Sequence, residues 1–173
     1  MYSVINDGTA VSHSHNTGDY GSFYGEVKPM ELDYIHNLHA SEDKTFDNLT
    51  FKTKSFNGNT IKPLDTWDKV SVSTDLRATG DLVIRTKDTF PAPYTQGEVW
   101  ASYVKNKYML SIPGNAVVDE FLNITDPSNI DQSILYKSRI KGDAMKVSLR
   151  YLNSDNYKFM VNFMACTVRL NAR

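Results

Sequence analysis

The sequence predicts a mainly β domain, sandwich-like or irregular, with one or two short helices near the C-terminal third. Three observations point there. Near the end, Met145, Val147, Leu149 and Tyr151 alternate with Lys146, Ser148 and Arg150, and after the polar stretch 153–156, Phe159, Val161 and Phe163 share a face. Successive strand side chains point to opposite faces, so this predicts two paired strands with one buried side. Short strand-like runs separated by Gly and Asn turns recur through the chain, and helical spacing is scarce. Ten Tyr, eight Phe and two Trp supply the aromatic residues that strands and interfaces favour. At 173 residues the chain is long enough to bury a core as one domain.

Residues 1–30 read as a loop-rich segment, because Gly8, Gly18, Gly21, Gly25 and Pro29 lie among Ser, Thr, Asn and Asp. Residues 31–173 read as the β-rich domain. Leu32–His36 is a short alternating strand, and Thr45–Phe56 a longer one whose mixed faces predict burial on both sides or a bulge. Asn57-Gly58-Asn59 supplies a tight turn. A β run with Trp67, Val70 and Val72 follows, and Thr79-Gly80-Asp81 turns into Leu82-Val83-Ile84. Phe90–Tyr94 holds two prolines and is extended. Glu98–Val104 and Lys107–Ile112 form a hairpin around Lys105-Asn106. The two helical candidates start at Asn115, through Val117, Val118, Phe121 and Leu122, and at Asp126-Pro127, through Ile130 and Ile134.

No apolar stretch approaches the roughly 18–20 residues that span a bilayer, which predicts no membrane insertion. The start, Met1–Asp7, lacks the basic region and apolar core of a secretory signal, so a soluble protein made in the cytoplasm is expected. The single cysteine, Cys166, excludes an intramolecular disulfide and is expected to be a buried, inert thiol. His13 and His15, with Asp19 near, have the spacing of a metal pair but sit in a Gly/Ser/Asn loop without further ligands. No metal and no cofactor are expected. There is no Gly-x-Ser-x-Gly and no phosphate-cradling glycine motif, and the carboxylate pairs Asp43/Asp47 and Asp65/Asp68 suit solvated turns better than acid–base work. A non-enzymatic protein is expected.

Charge is distributed unevenly. Residues 134–173 carry eight Lys and Arg against Asp143 and Asp155, a formal +6, which leaves −7 for the rest of a chain of net charge −1. Lys137, Arg139, Lys141, Lys146, Arg150 and Lys158, interleaved with Tyr136, Tyr151 and Tyr157, have the look of a phosphate-binding stripe. The same face fits better against the acidic remainder of the fold, where Asp75, Asp81, Asp119, Glu120 and Asp131 are available, or against a neighbouring subunit. The candidate assembly surface is Lys137, Arg139, Lys141, Lys146, Arg150 and Tyr151.

Four segments taken in order resemble a known family. His15–Gly25 resembles a His-Asn, short loop, Phe-Tyr-Gly motif, and Lys44–Leu49 a Lys-x-Phe-x-x-Leu stretch. Trp67–Val72 matches a Trp-Asp followed by a β run, and Lys137–Val147 a closing basic segment with the terminal strands. Together they look like the C-terminal part of the tail stabilisation or muzzle proteins of crAss-like, short-tailed bacteriophages. That resemblance implies a virion structural role: a ring-forming tail component that helps close or stabilise the genome conduit. It implies a place in the phage tail, copies of itself and other tail proteins as partners, and proximity to genomic DNA; it implies no catalytic residues. The resemblance also implies that the chain matches only the C-terminal portion of much longer proteins. A second expectation, from another class, is a carbohydrate- or receptor-binding β-sandwich module, with Trp67, Trp100, Tyr103 and Tyr108 exposed to stack on sugars. A third is a glycan-degrading enzyme with paired carboxylates.

Overall fold

A computed structural model describes residues 28–37, 42–75, 78–86, 97–112, 139–155 and 157–170, together with the backbone of four short strands before them. Those four, β1 (Tyr2–Val4), β2 (Ala10–Ser12), β3 (Ser22–Phe23) and β4 (Glu26–Val27), form two antiparallel pairs, β1 with β2 and β3 with β4. Thus the segment expected to be loop-rich contains strands of two or three residues. The two helical candidates and the Phe90–Tyr94 connection lie outside the described residues, among which there is no helix.

The remaining strands are β5 (Met30–His36), β6 (Lys44–Asn57), β7 (Thr60–Lys62), β8 (Lys69–Ser73), β9 (Leu82–Arg85), β10 (Glu98–Val104), β11 (Lys107–Ser111), β12 (Ile140–Gly142), β13 (Met145–Tyr151) and β14 (Lys158–Leu170). They make one sheet of ten strands that curls into a nearly closed, barrel-like form. The mainly β expectation therefore holds, but a single curled sheet replaces a two-sheet sandwich. The organiser is β6, fourteen residues long. On one edge it carries β14 along almost its whole length. Along the other edge come β12, then β11, then β7. From β11 the sheet continues through β10, β9, β8 and β13 to β5.

Turn chemistry matches the backbone each hairpin needs. Lys105 and Asn106 both have positive φ, 49° and 64°, as the two central residues of a type I′ hairpin must. Gly58, with φ of 56°, opens the two-residue loop between β6 and β7. Gly142 has a different reason to be glycine: a Cβ there would lie 3.0 Å from Asp75 Oδ1 and 3.1 Å from Thr74 Cβ.

Bulges explain the mixed faces of β6 and β14. The register slips between Thr167 and Val168, where Asp47 on β6 has no opposite residue. Phe46 before the slip, and Leu49 and Phe51 after it, can then all point inward despite their odd spacing. A second slip between Val161 and Phe163 leaves Asn162 over. Phe159 and Val161 pack against the core, whereas Phe163 is turned outward and Met164 takes the inward position. The expectation that Phe159, Val161 and Phe163 share a face fails at this bulge. The expected pairing of the last two strands fails too: β13 pairs with β5 and β8, and β14 with β6. Asn153, at φ 53°, redirects the chain between them, and its Oδ1 accepts a hydrogen bond of 2.6 Å from the Tyr157 amide. What the two strands share is the core, where the Tyr151 and Phe159 rings stack at 4.0 Å.

The core is a continuous cluster that includes Phe46, Leu49, Phe51, Trp67, Val70, Val72, Tyr108, Leu110, Met145, Val147 and Leu149. Phe51 stacks on Tyr108 at 5.7 Å, and Trp67 meets Phe159 edge-on at 4.9 Å. Tyr108 also donates its hydroxyl to the Leu64 carbonyl at 2.5 Å, which satisfies its polar end inside the barrel.

Candidate functional site

The basic residues singled out in the sequence are placed by β12, β13 and the chain just before β12. Lys137 lies outside the described residues. Arg139 precedes β12; its Nη1 donates to the Ile112 carbonyl at 3.2 Å, and its Nε lies 3.8 Å from Asp47. Lys141, on β12, is exposed. Lys146 and Arg150 point outward from β13 because Met145, Val147, Leu149 and Tyr151 take the inward positions. Tyr151 is therefore a core residue rather than part of an outer surface.

Most of these cations meet acids of the same chain. The Lys146 ammonium lies 3.1 Å from Asp33 on β5, and Arg150 lies 2.9 Å from Glu31 and 3.7 Å from Asp81. The register makes this inevitable, since β13 sets Arg150 opposite Glu31 and Ser148 opposite Asp33. The Ser148 hydroxyl, and after it Lys146, hold the Asp33 carboxyl below its ordinary range. Exposed pairs of this kind are screened by solvent, so they shape local charge more than stability. Across this face Glu31, Asp33, Lys69, Ser71, Asp81, Ser148 and Arg150 line a shallow cavity of about 180 Å³.

Asp47 is the second meeting point, and its bulge is what makes it available. It accepts two hydrogen bonds from Arg169, at 2.7 Å from Nε and 2.8 Å from Nη2, while its carbonyl accepts from the Ile112 amide at 2.9 Å. Together with Arg139, this ties the chain before β12 and the end of β14 to one carboxylate. The fork-to-fork geometry suits an arginine. Sequence reasoning missed Arg169 because nothing local shows that a bulge at Asp47 would aim a carboxylate at it.

The other candidate chemistries are placed as follows. His13, His15 and His39 lie outside the described residues. Among the described residues, no three His, Cys, Asp or Glu side chains are grouped to hold a metal. Asp65 Oδ2 accepts the Tyr151 hydroxyl at 2.6 Å, and Asp68 Oδ2 accepts the Leu152 amide at 2.7 Å. Burial raises the Asp68 pKa, opposed by that amide. The pair thus fastens the Trp67 segment to the end of β13. Trp67 and Tyr108, each 1% exposed, are packed inside and cannot stack on a sugar. Tyr103 is exposed and Trp100 half-buried. The half-buried Cys166 thiol is pushed up to about 12 by burial and then by Asp47.

His36 carries a consequence for pH. Its Nε2 is buried without a hydrogen-bond partner, and its ring meets Phe46 edge-on at 6.2 Å. Burial first, and the Lys44 ammonium second, lower its pKa. The unfolded chain then binds more protons than the folded one below the ordinary histidine range, about 6.5. This contribution to stability is complete above that value and is lost as pH falls through it. The expected result is a urea midpoint that drops between pH 7.5 and 5.0, with a smaller drop in His36→Phe; equal drops in the two proteins would show that His36 is not responsible.

Fold and charge together define a barrel-like β domain whose outer face is stitched by ion pairs. Among its described residues no helix is long and apolar enough to cross a membrane. The family described as the Crassvirus muzzle protein C-terminal domain matches residues 18–115, more than half of the chain, and the chain belongs to that family. It is also 31% identical over 55 residues to the Muzzle protein of Bacteroides phage crAss001. Those residues make up 32% of this chain and 4% of that protein, so the chain spans a small fraction of the curated relative's length. The family match ends ahead of β12, and the basic strands lie beyond it.

Proposed function

We propose that this protein is a non-enzymatic structural component of a phage virion, part of a ring-like tail assembly that helps to close or stabilise the genome conduit. Membership of the muzzle C-terminal family is the observation that carries the reading. Its partners are copies of itself and other tail proteins, and it works without a cofactor. The structure sharpens which cations are available for docking. Lys146 and Arg150 are engaged by Asp33, Glu31 and Asp81, and Arg139 by Asp47, whereas Lys141 stands exposed on β12. Lys141 is thus the better probe of an assembly surface.

The test is incorporation into particles. Lys141→Glu, and Arg139→Glu with it, should lower the amount of this chain in purified virions at least tenfold, with the melting temperature of the single variant unchanged. High salt should release it. Normal incorporation of both variants would remove the basic end from assembly, and absence of the wild-type chain from purified virions would overturn the structural reading itself.

A further inference from the structure

The curled sheet stops short of closure, and β5 and β14 lie at its two ends. Among the described residues β5 pairs only with β13, and β14 only with β6. Among these residues each keeps one edge with no strand beside it. Following the pairings around the sheet, β5 and β14 run in the same direction. Their inward side chains are only half-buried: Leu32 and Tyr34 on β5, and Phe159, Val161, Met164, Cys166 and Val168 on β14. The strands between them bury most of the equivalent positions fully, with Tyr103 on β10 an exception.

Native edge strands are ordinarily short, charged, or broken by proline. β14 is thirteen residues long, and from Phe159 to Val168 it holds no charge and no proline, only a single bulge at Asn162. Such an edge is a template for strand addition. The outward face beside it supplies the sign of the partner. Lys52 is level with Phe163, and Lys107, one residue before the pair Tyr108–Phe51, comes level with Lys52. Lys54 lies two residues further along β6 on the same face. The Lys107 ammonium reaches over the Phe163 ring at 4.0 Å, which places a positive charge on β14 itself. Lys54 lies over Phe56 at 5.1 Å. None of the three has a carboxylate partner among the described residues. Like charges facing across strands cost stability, and exposed Met109 and Phe163 beside them add an apolar component.

We propose that the free edge of β14 is a docking site for an extended segment of a partner protein that alternates apolar and acidic residues. The segment runs antiparallel to β14 and hydrogen-bonds its edge. Its apolar side chains cover the half-buried inner row from Phe159 to Val168, and its carboxylates face Lys107 and Lys52. A nucleic acid fits less well: the two rings it would stack on already carry lysine ammoniums, and the backbone edge would stay unpaired. The inference goes beyond the structural role and does not depend on it.

The probe is an end-blocked ten-residue peptide alternating valine and glutamate, with a valine–lysine peptide of the same length as its counterpart. Binding to the whole chain is followed by anisotropy, and amide hydrogen exchange is measured along residues 158–170. The glutamate peptide should bind, slow exchange in β14, and bind at least tenfold more weakly to Lys107→Glu. Lys107→Met, which keeps the stem over Phe163 and removes the charge, should weaken it severalfold. The lysine peptide should not protect β14. The proposal is overturned if neither peptide slows exchange there, if both do so equally, or if a single-stranded oligonucleotide protects β14 and the glutamate peptide does not. Lys141→Glu should bind the peptide like the wild type, which separates this site from the proposed assembly surface.

Discussion

Trp67→Ala should lower the stability of this domain by about 3–5 kcal/mol, the usual cost of removing a large buried aromatic side chain. For a chain of this length that corresponds to a fall in Tm of roughly 6–20 °C. Trp67 is 1% exposed and packs edge-on against Phe159 of β14, so its loss opens a void between the segment entering β8 and the last strand. The indole Nε1 is buried with no hydrogen-bond partner. Trp67→Phe therefore removes an unsatisfied donor as well as volume, and should cost less than about 2 kcal/mol. Urea unfolding of both variants checks the pair, and an alanine variant as stable as the phenylalanine one would show that the void collapses or that the packing is not as described.

Tyr151 should be nearly as sensitive, for two separable reasons. Its ring stacks on Phe159, and its hydroxyl donates to Asp65. Burial, followed by the Asp65 carboxylate, pushes the phenol well above its ordinary range, so it remains a donor at any physiological pH. Tyr151→Phe keeps the stack but leaves the carboxylate without this donor, at a cost of about 1–3 kcal/mol. Tyr151→Ala loses both and should cost about 3–5 kcal/mol. Asp65→Asn in the Tyr151→Phe background should recover part of the loss, because it removes the unpaired charge. If the double variant is no better than Tyr151→Phe, the hydrogen bond is not the source of the effect.

What could be read from the sequence was local. The alternation in Met145–Tyr151 located β13 and its inward face, and the Asn57-Gly58-Asn59 and Lys105-Asn106 signals located hairpins, because turn and strand chemistry act over a few residues. Partners that lie far apart in the chain were not legible. β13 and β14 have the look of a hairpin, yet nothing in either states that β14 prefers β6, whose edge is a hundred residues away. One extra residue, Asn162, reverses the face of everything after it, and periodicity cannot reveal an insertion whose counterpart is in another strand. The charge split was visible as a sum. Its resolution into Lys146–Asp33, Arg150–Glu31 and Arg169–Asp47 required the register.

The placement of β14 on β6 also sets an order of events when the chain is made. β6 is complete by Asn57, but its long partner is not synthesised until residue 170. At ordinary translation rates about a hundred intervening residues take ~5–20 s. Through that interval the fourteen-residue strand at the centre of the domain has one bare side, and Phe159 is not yet present to cover Trp67 or Tyr151. Pairing along this side of β6 therefore waits for β14: until residues 158–170 are made, the sheet lacks the strand that lies along β6 and brings Phe159 against Trp67 and Tyr151.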